Sequence, residues 1–259
     1  MPSSERIRLV QTEQLNSHAY RLEFLAPQIA AEAKPGQFLM LESPVYLKRP
    51  YGIMSANAKE GKIELGIDTV GRGSKWHVAL NPGSELQALG PLGHGFNPPQ
   101  PGRKLILMGG GSGLYPLISA AEANYEKELL VVLGFRSKEE AILAERFEAL
   151  GARVLLSSDQ GGLDFHGNAV SALASILAAE AIQEAELWSC GPVPMLKAAA
   201  ELAAQKGFTC QLSFEARMAC GLGFCSGCAI PIKSSLPQRC CYEGPVFAAE
   251  SIDWEALYA

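Results

Sequence analysis

Residues 105–116 read LILMGGGSGLYP, and this stretch decides how the middle of the chain folds. Its first four residues, Leu105–Met108, are apolar and predict a short buried strand. The next five predict a tight glycine-rich turn, and Pro116 lies where a predicted helix begins that ends at Asn124. The turn consists of Gly109, Gly110, Gly111, Ser112 and Gly113.

A strand, a glycine-rich turn and a helix in this order can hold a pyrophosphate. The N–H groups of the turn and of the first helical residues point toward the anion, and the helix dipole favours negative charge there. The motif is not the G-x-G-x-x-G fingerprint, because the sixth position from Gly109 is Leu114 and from Gly111 is Pro116. Such a turn alone also fits a tight connection, but the flanking strand and helix favour dinucleotide binding.

Strand and helix patterns continue to alternate as far as residue 206. The predicted strands are Leu129–Phe135, Arg153–Ser157 and Glu186–Ser189, and the predicted helices are Lys138–Leu150, Ala169–Glu180 and Pro194–Lys206. This alternation predicts a parallel α/β sheet.

Toward the N-terminus the pattern changes to short strands separated by glycine and proline. The predicted strands are Arg6–Gln11, Tyr20–Leu25, Gln37–Glu42, Tyr51–Ala56, Lys62–Thr69 and Glu85–Leu89. Short strands at this spacing predict an antiparallel barrel or sandwich. The segment Gly93–Arg103 contains three prolines and three glycines, and we expect it to link the two halves.

A second candidate phosphate site lies in the N-terminal half. Gly71–Ser74 (GRGS) precedes a predicted helix, Lys75–Leu80, although the same letters also fit a hairpin turn with a helix cap. Arg49 and Tyr51 come earlier. An arginine can pair with phosphate and a tyrosine ring can cover a flat cofactor, but these residues also fit a strand start with a surface arginine.

Five of the seven cysteines fall within 22 residues near the C-terminus. Cys220, Cys225 and Cys228 have the spacing C-x4-C-x2-C, and Cys240 and Cys241 follow. This is the plant-type arrangement for a [2Fe–2S] cluster, whereas zinc sites usually show C-x2-C pairs. The spacing favours the cluster over zinc or free buried thiols. It leaves the fourth ligand open between the last two cysteines.

Composition excludes several classes of function. A chain of 259 residues fits two domains better than one, and a formal charge of −5 argues against a nucleic-acid surface. No run of 18 apolar residues exists, and Met1–Val10 has no apolar segment of a signal peptide. We therefore expect a cytoplasmic protein, in which clustered cysteines indicate metal or redox chemistry. The single histidines, predicted to be structural or exposed, are His18, His77, His94 and His166.

Together these motifs resemble the ferredoxin-reductase superfamily, and most closely its dihydroorotate dehydrogenase electron-transfer subunits, over nearly the whole chain. Arg49–Gly52 is similar to the R-P-x-S flavin motif, and Gly90–Phe96 to the usual end of the barrel. Gly109–Pro116 is similar to the G-G-G-x-G-x-x-P of the nicotinamide domain, and Ser213–Cys220 to the cluster domain. In that family the fourth cluster ligand directly precedes x-x-G-P-V-F, which selects Cys241.

The resemblance implies three sets of site residues. FAD would be bound by Arg49, Pro50, Tyr51, Gly52, Gly66, Ile67, Asp68, Gly73 and Ser74. NAD(H) would be bound by the glycine-rich turn together with Arg136, Cys190, Gly191 and Pro192. The [2Fe–2S] ligands would be Cys220, Cys225, Cys228 and Cys241.

Two residues depart from the family pattern. Gly52 stands where the family usually has serine, and Asp68 stands where arginine is common, so a positive charge near the FAD is replaced by a negative one. The acidic residue expected after the second strand of the α/β unit, which would bind a ribose hydroxyl, is missing, and Arg136 occupies that neighbourhood. Arg136 favours a 2′-phosphate, whereas the resemblance implies NADH.

The resemblance also implies an α+β multi-domain fold. We expect an antiparallel β-barrel FAD domain (1–98), a parallel α/β NAD-binding domain (99–210) and a small C-terminal [2Fe–2S] lobe (211–259). The implied function is electron transfer between NAD(H), FAD, the cluster and an FMN-containing dihydroorotate dehydrogenase catalytic subunit in pyrimidine biosynthesis, with two copies of each chain. We identify no catalytic side chain and no dihydroorotate site.

Two alternatives remain at this point. The first is a diaphorase subunit of a hydrogenase or of a ferredoxin:NADP oxidoreductase, which has the same three parts. The second is a non-catalytic binding protein on a reductase scaffold that is stabilised by zinc.

Overall fold

Six antiparallel strands close into a barrel in the N-terminal part of the chain, in the order β1-β2-β5-β4-β3-β6. The structure is a computed structural model and describes residues 3–125, 128–233 and 236–258. The barrel strands are β1 (Ser3–Gln14), β2 (Ala19–Leu25), β3 (Phe38–Leu41), β4 (Arg49–Asn57), β5 (Lys62–Asp68) and β6 (Glu85–Leu92). Of the two arrangements that the sequence predicts, the barrel is therefore the correct one.

Alternation of side chains places the barrel core. Along β1, Ile7 and Leu9 are buried whereas Arg6 and Arg8 are exposed, as expected of a strand with one face toward a core. Glu5 is buried on the same face because its carboxylate accepts hydrogen bonds from the N–H groups of residues 28 and 29, at 3.1 and 2.9 Å. These groups open α1 (Pro27–Glu32), which the sequence patterns did not predict. The second barrel helix is α2 (Arg72–Val78).

The following part is a seven-stranded sheet in the order β10-β9-β8-β7-β11-β12-β15. Its strands are parallel except β15, which pairs antiparallel with β12. They are β7 (Lys104–Gly110), β8 (Leu129–Phe135), β9 (Arg153–Ser158), β10 (Phe165–His166), β11 (Ala185–Cys190), β12 (Thr209–Ser213) and β15 (Val246–Ala248). The apolar run of β8 is buried on both faces, as is typical of parallel sheets.

Four helices cover this sheet, namely α3 (Leu114–Glu122), α4 (Ala144–Glu148), α5 (Ala169–Ala179) and α6 (Val193–Lys206). The strand order reverses between β7 and β11, and ligands of such sheets bind at the carboxyl ends of the strands beside this reversal. The glycine-rich turn after β7 and the residues after β11 lie there. Among the helices of the described ranges, none is both long enough and apolar enough to cross a membrane.

The predicted helix Lys138–Leu150 is wrong. The chain forms a short 3-10 helix, Lys138–Glu140, and resumes helical structure only in α4, after Leu143 adopts a left-handed φ of 61°. Ala141, Ile142 and Leu143 all pack against the core of the sheet. Successive residues of an α-helix point about 100° apart, so three in a row cannot all face one core, and packing overrides the helix propensity.

The cysteine-rich segment is inserted between β12 and β15. It contains a two-stranded sheet formed by β13 (Ala229–Ile230) and β14 (Gln238–Arg239), and α7 (Trp254–Tyr258) follows β15. Hydrogen bonds join the cysteine-rich segment to the end of the barrel. The His94 N–H donates to Gly244 O at 2.6 Å, and the His94 Nδ1 lies 2.8 Å from Tyr242 O. The cysteine-rich lobe therefore contacts both the sheet and the barrel.

Ionic and aromatic contacts hold the barrel against the sheet. The guanidinium of Arg146 lies 2.7 Å from Glu64 of β5 and 2.7 Å from Glu122 of α3. The segment predicted as a linker, Gly93–Arg103, is packed between the two parts. Its Phe96 ring stacks on that of Trp188 with centroids 4.7 Å apart.

A glycine on β5 sets the closest approach between the two parts. The ring of Tyr115 in α3 covers Gly66 so closely that a Cβ there would lie 2.2 Å from the ring carbons. The Tyr115 hydroxyl donates to Asp68 Oδ1 at 2.7 Å. Gly66 and Asp68 are two residues apart and share one face of the strand, so a single tyrosine reaches both.

We expect Gly66→Ala to lower the free energy of unfolding by about 1–3 kcal/mol, because the added methyl group forces the Tyr115 ring to move. Urea denaturation followed by tryptophan fluorescence measures this. Gly52→Ala is the matched control, since a Cβ at this glycine of β4 would meet Pro116 of α3 at an ordinary 3.6 Å. Equal losses in the two variants would contradict the role of the Gly66 contact.

Candidate functional site

A candidate anion site lies where β4 begins beside α2. A Cβ on Gly73 would lie 2.8 Å from Arg49 Nε and 3.1 Å from Ser43 Oγ, so only glycine lets the guanidinium lie against the first turn of the helix. The N–H groups of that turn have no acceptor within the helix. The Ser74 hydroxyl is already occupied, because it bonds the N–H and the carbonyl of Gly71 at 3.1 and 3.2 Å. Arg49 thus lies against Gly73 and Ser74, and the arginine is the cation of this group.

A buried histidine holds the tyrosine of the flavin motif. His77 is fully buried, with Nε2 2.8 Å from Glu42 O and Nδ1 3.0 Å from the Tyr51 hydroxyl. Burial lowers the pKa of His77, so the ring is neutral. Because a carbonyl only accepts, Nε2 carries the proton, and the Tyr51 hydroxyl donates to Nδ1. Burial also raises the pKa of Tyr51, against the opposing charge of Arg49.

The motif-based interpretation missed His77 as a site residue. The available signal was its spacing, because His77 is four residues after Gly73 and lies on the same face of α2. This face is the one that turns toward Arg49.

A cleft of about 360 Å³ lies between the barrel and the sheet. It brings together residues from the flavin motif and residues from the nicotinamide motif, which the sequence assigns to different domains. The site residues that line it are Pro50, Tyr51, Gly52, Gly66, Asp68, Ser112 and Cys190. Ile67 is not among them, since its side chain is buried in the barrel core. Gly52 has space for a side chain, so its departure from serine leaves the cleft wider at this point.

Two carboxylates face this cleft. Asp68 binds the Tyr115 hydroxyl, and Glu215, which follows β12, accepts a hydrogen bond from Ser112 Oγ at 3.1 Å. Glu215 keeps solvent exposure at the edge of the cleft, yet desolvation by the surrounding protein raises its pKa; the bond from Ser112 lowers it and the charge of Asp68 raises it. Burial, followed by the charge of Glu215, raises the pKa of the Cys190 thiol, which is therefore neutral. Glu215 was missed as a site residue, although it lies within the cluster-domain motif.

A second cavity, of about 610 Å³, lies at the carboxyl ends of the parallel strands. Gly110, Gly111, Arg136 and Pro192 line it, as the nicotinamide motif predicts. Asp159 after β9 also lines it, so an acidic residue is present one strand later than the expected position.

The glycines of the predicted turn have different roles, and the first two, Gly109 and Gly110, belong to the end of β7 because the strand is longer than predicted. A Cβ on Gly113 would lie 2.0 Å from Cys190 O, and one on Gly109 would lie 3.0 Å from Leu117, so both permit close packing. Gly111 has a left-handed φ of 55° and open space beside it, which leaves its backbone accessible to a ligand. Gly191, between Cys190 and Pro192, follows β11 directly beside this turn.

The four predicted cluster ligands lie as two pairs of neighbouring thiols. The thiol of Cys220 is adjacent to that of Cys225, and the thiol of Cys241 is adjacent to that of Cys228. Backbone N–H groups point at the sulfurs, from Leu222 to Cys220 Sγ and from Cys241 to Cys228 Sγ, each at 3.4 Å. Burial opposes ionisation of Cys220, but the N–H groups of Leu222, Phe224 and Cys225 lower the pKa of its thiol.

This arrangement fits a binuclear cluster better than a zinc ion. Within the described ranges, no three His, Cys, Asp or Glu side chains converge as a single metal ion would require. A [2Fe–2S] cluster takes two ligands on each iron, which two separate thiol pairs can supply. Cys240 points away from them, because its fully buried Sγ donates to Phe214 O at 3.2 Å and burial raises the pKa of its thiol.

Comparisons with solved structures agree with this fold. The structure of an NADH-dependent reduced ferredoxin-NADP oxidoreductase superposes with a TM-score of 0.88 and 24% identity, covering 97% of this chain and 91% of that one. The ferredoxin reductase of a carbazole 1,9a-dioxygenase gives a TM-score of 0.69 and 24% identity, covering 80% and 67% of the two chains. At this identity the likeness concerns the fold alone.

Comparisons with sequences are more specific. The family model "Iron-sulfur cluster binding domain of dihydroorotate dehydrogenase B" matches residues 215–253. The chain is 33% identical to the dihydroorotate dehydrogenase B (NAD(+)) electron transfer subunit of Caldanaerobacter subterraneus subsp. tengcongensis, over 95% of this chain and 97% of the relative. It is 32% identical to the subunit of the same name from Desulforamulus reducens, over 92% and 94%. The chain therefore belongs to the family of dihydroorotate dehydrogenase B electron transfer subunits.

Proposed function

We propose that the chain passes electrons between NAD(H), FAD and a [2Fe–2S] cluster, and through the cluster to or from an FMN-containing catalytic subunit that converts dihydroorotate in the cytoplasm. The observation that carries this proposal is that the flavin motif, the nicotinamide motif and the cysteine loop are adjacent to one another. The cleft joins the flavin motif at Gly52 to the nicotinamide motif at Ser112. The cysteine loop, residues 220–228, packs on the same barrel. A Cβ on Gly221 would lie 2.7 Å from Met40 of β3, the strand next to β4.

The chain's own residues would bind and orient the cofactors. Arg49 and the first turn of α2 suit the FAD pyrophosphate, and Tyr51, fixed by His77, forms a wall of the cleft where the ring system would lie. The turn around Gly111 and the cavity with Arg136 suit the dinucleotide. When bound, FAD supplies the conversion between the two-electron chemistry of a nicotinamide and the one-electron chemistry of a cluster.

The cysteine loop would also be the contact with the partner. Cys225 is exposed, and the neighbouring Phe224 is 84% exposed, so an apolar ring lies at the surface directly beside a predicted cluster ligand. Leu222, two residues earlier in the same loop, packs against the core instead. We propose that Phe224 contacts the catalytic subunit and that two copies of each chain assemble.

The cluster ligands can be tested by two neighbouring substitutions. We expect Cys241→Ser to remove the normal [2Fe–2S] spectrum and lower the iron and acid-labile sulfide content, because one thiol of a pair is lost. Cys240→Ser is the matched control and should retain two irons per chain, since its thiol points into the core. Iron and sulfide analysis with electron paramagnetic resonance of anaerobically purified protein measures this. Loss of the cluster in Cys240→Ser alone would reverse the ligand choice, and bound zinc would exclude the cluster.

The flavin site can be tested by removing its cation. We expect Arg49→Ala to weaken FAD binding roughly 10- to 150-fold, because a charge-assisted hydrogen bond to phosphate contributes about 1.5–3 kcal/mol. Titration of the flavin-depleted chain with FAD, followed by flavin fluorescence, gives the dissociation constants. Arg8→Ala on the outer face of the barrel is the control. Equal affinity of both variants for FAD, or release of FMN from the heated wild-type protein, would refute this assignment.

The partner assignment can be tested by reconstitution. We expect the purified chain to oxidise NADH with an artificial acceptor but to form no orotate, and addition of the FMN-containing catalytic subunit to restore NAD-linked dihydroorotate oxidation. Phe224→Asp should weaken binding of the two subunits, because it places a charge in an apolar contact. Tyr125→Asp, which alters another exposed aromatic residue, should not. Orotate formation by the chain alone, or no coupling to the partner, would favour the diaphorase alternative.

A further inference from the structure

The cleft between the barrel and the sheet carries two acidic side chains and no basic one. Asp68 and Glu215 contribute carboxylates, and among the lining residues, all within the described ranges, there is no lysine, arginine or histidine. The acids at the nearby interface are arranged differently, since Glu64 and Glu122 both pair with Arg146. The negative charge of the cleft is therefore not balanced by its own walls.

Both carboxylates are held in place by hydroxyl groups. Tyr115 donates to Asp68 at 2.7 Å and Ser112 donates to Glu215 at 3.1 Å. Hydroxyl donors orient a carboxylate without neutralising it. The two acids are close enough for the charge of Asp68 to act on Glu215. A positive charge placed between them would relieve this repulsion.

Glu215 also marks the nicotinamide end of the cleft. Its hydrogen-bond partner Ser112 belongs to the glycine-rich turn after β7, and Cys190 after β11 lines the same cleft. A dinucleotide held at that turn would place its nicotinamide ring near these residues. This ring is cationic when oxidised and neutral when reduced, so a local negative charge distinguishes the two states.

We propose that Asp68 and Glu215 make the cleft selective for the oxidation state of the nicotinamide, so that NAD+ binds more tightly than NADH. This inference rests on the proposed function, because it requires the nicotinamide to enter this cleft. By a thermodynamic cycle, the same factor makes bound NADH a stronger hydride donor than free NADH. In the direction of dihydroorotate oxidation it favours binding of the acceptor and release of the reduced product.

The test compares a cationic and a neutral ring on the FAD-loaded chain. NAD+ and 1,4,5,6-tetrahydro-NAD, whose ring is neutral and does not reduce flavin, are titrated calorimetrically into wild type, Glu215→Gln and Asp68→Asn. We expect each substitution to weaken NAD+ binding about five- to tenfold and to change binding of the neutral analogue less than twofold. Both amides keep an acceptor oxygen for the serine or tyrosine hydroxyl.

Glu201→Gln is the charge-matched control, because this exposed glutamate of α6 lies at a different cavity. It should leave the ratio of the two dissociation constants unchanged. Equal weakening of both nucleotides, or of neither, in Glu215→Gln and Asp68→Asn would overturn the proposal while leaving the function intact. Failure of the wild-type chain to bind either nucleotide would instead overturn the proposed function itself.

Discussion

The contact of Tyr115 with Gly66 and Asp68 determines how the barrel sits on the sheet. The tyrosine ring occupies the space that a side chain on Gly66 would need, and its hydroxyl reaches the carboxylate two residues further along the same strand. Because Tyr115 lies in the first turn of α3, directly after the glycine-rich turn, this contact also fixes the distance between the two cofactor motifs. The cleft exists because α3 approaches β5 this closely.

The position of the cysteine lobe follows from the same principle of close backbone approach. A Cβ on Gly93 would lie 2.3 Å from Gly244 O, and one on Gly221 would meet Met40. The lobe is further constrained at both ends, because β12 precedes it and β15 returns to the sheet. The contacts at Gly93, at Gly221 and with the sheet hold the two pairs of thiols beside the barrel. A fixed position suits a cluster that exchanges electrons over a short, constant distance.

Local sequence patterns predicted much of this architecture. They failed where contacts with residues distant in sequence determine the local structure. The apolar run of β8 and the cysteine spacing carry their own signal, and the structure places both as the patterns indicate. Helix α1 was missed because its start is bound by Glu5 from another strand. The helix expected over 138–150 is interrupted because residues 141–143 follow the core. His77 was missed because its role depends on Tyr51, which only the closed barrel brings within 3.0 Å.

Acidic side chains between the barrel and the sheet have two kinds of partner, and the kind of partner distinguishes structural positions from functional ones. At the outer part of the interface, Glu64 and Glu122 are satisfied by a single arginine, so their charges add to the docking of the two parts. Among the described residues, Asp68 and Glu215 receive hydrogen bonds from neutral hydroxyl groups and form no ion pair, although Asp68 is partly buried and a desolvated carboxylate without a cation is costly. Natural sequences depart from such local rules mainly at functional sites. The departure of Asp68 from the arginine common in the family thus has a physical meaning. It exchanges a fixed positive charge of the protein for one that only a ligand can supply.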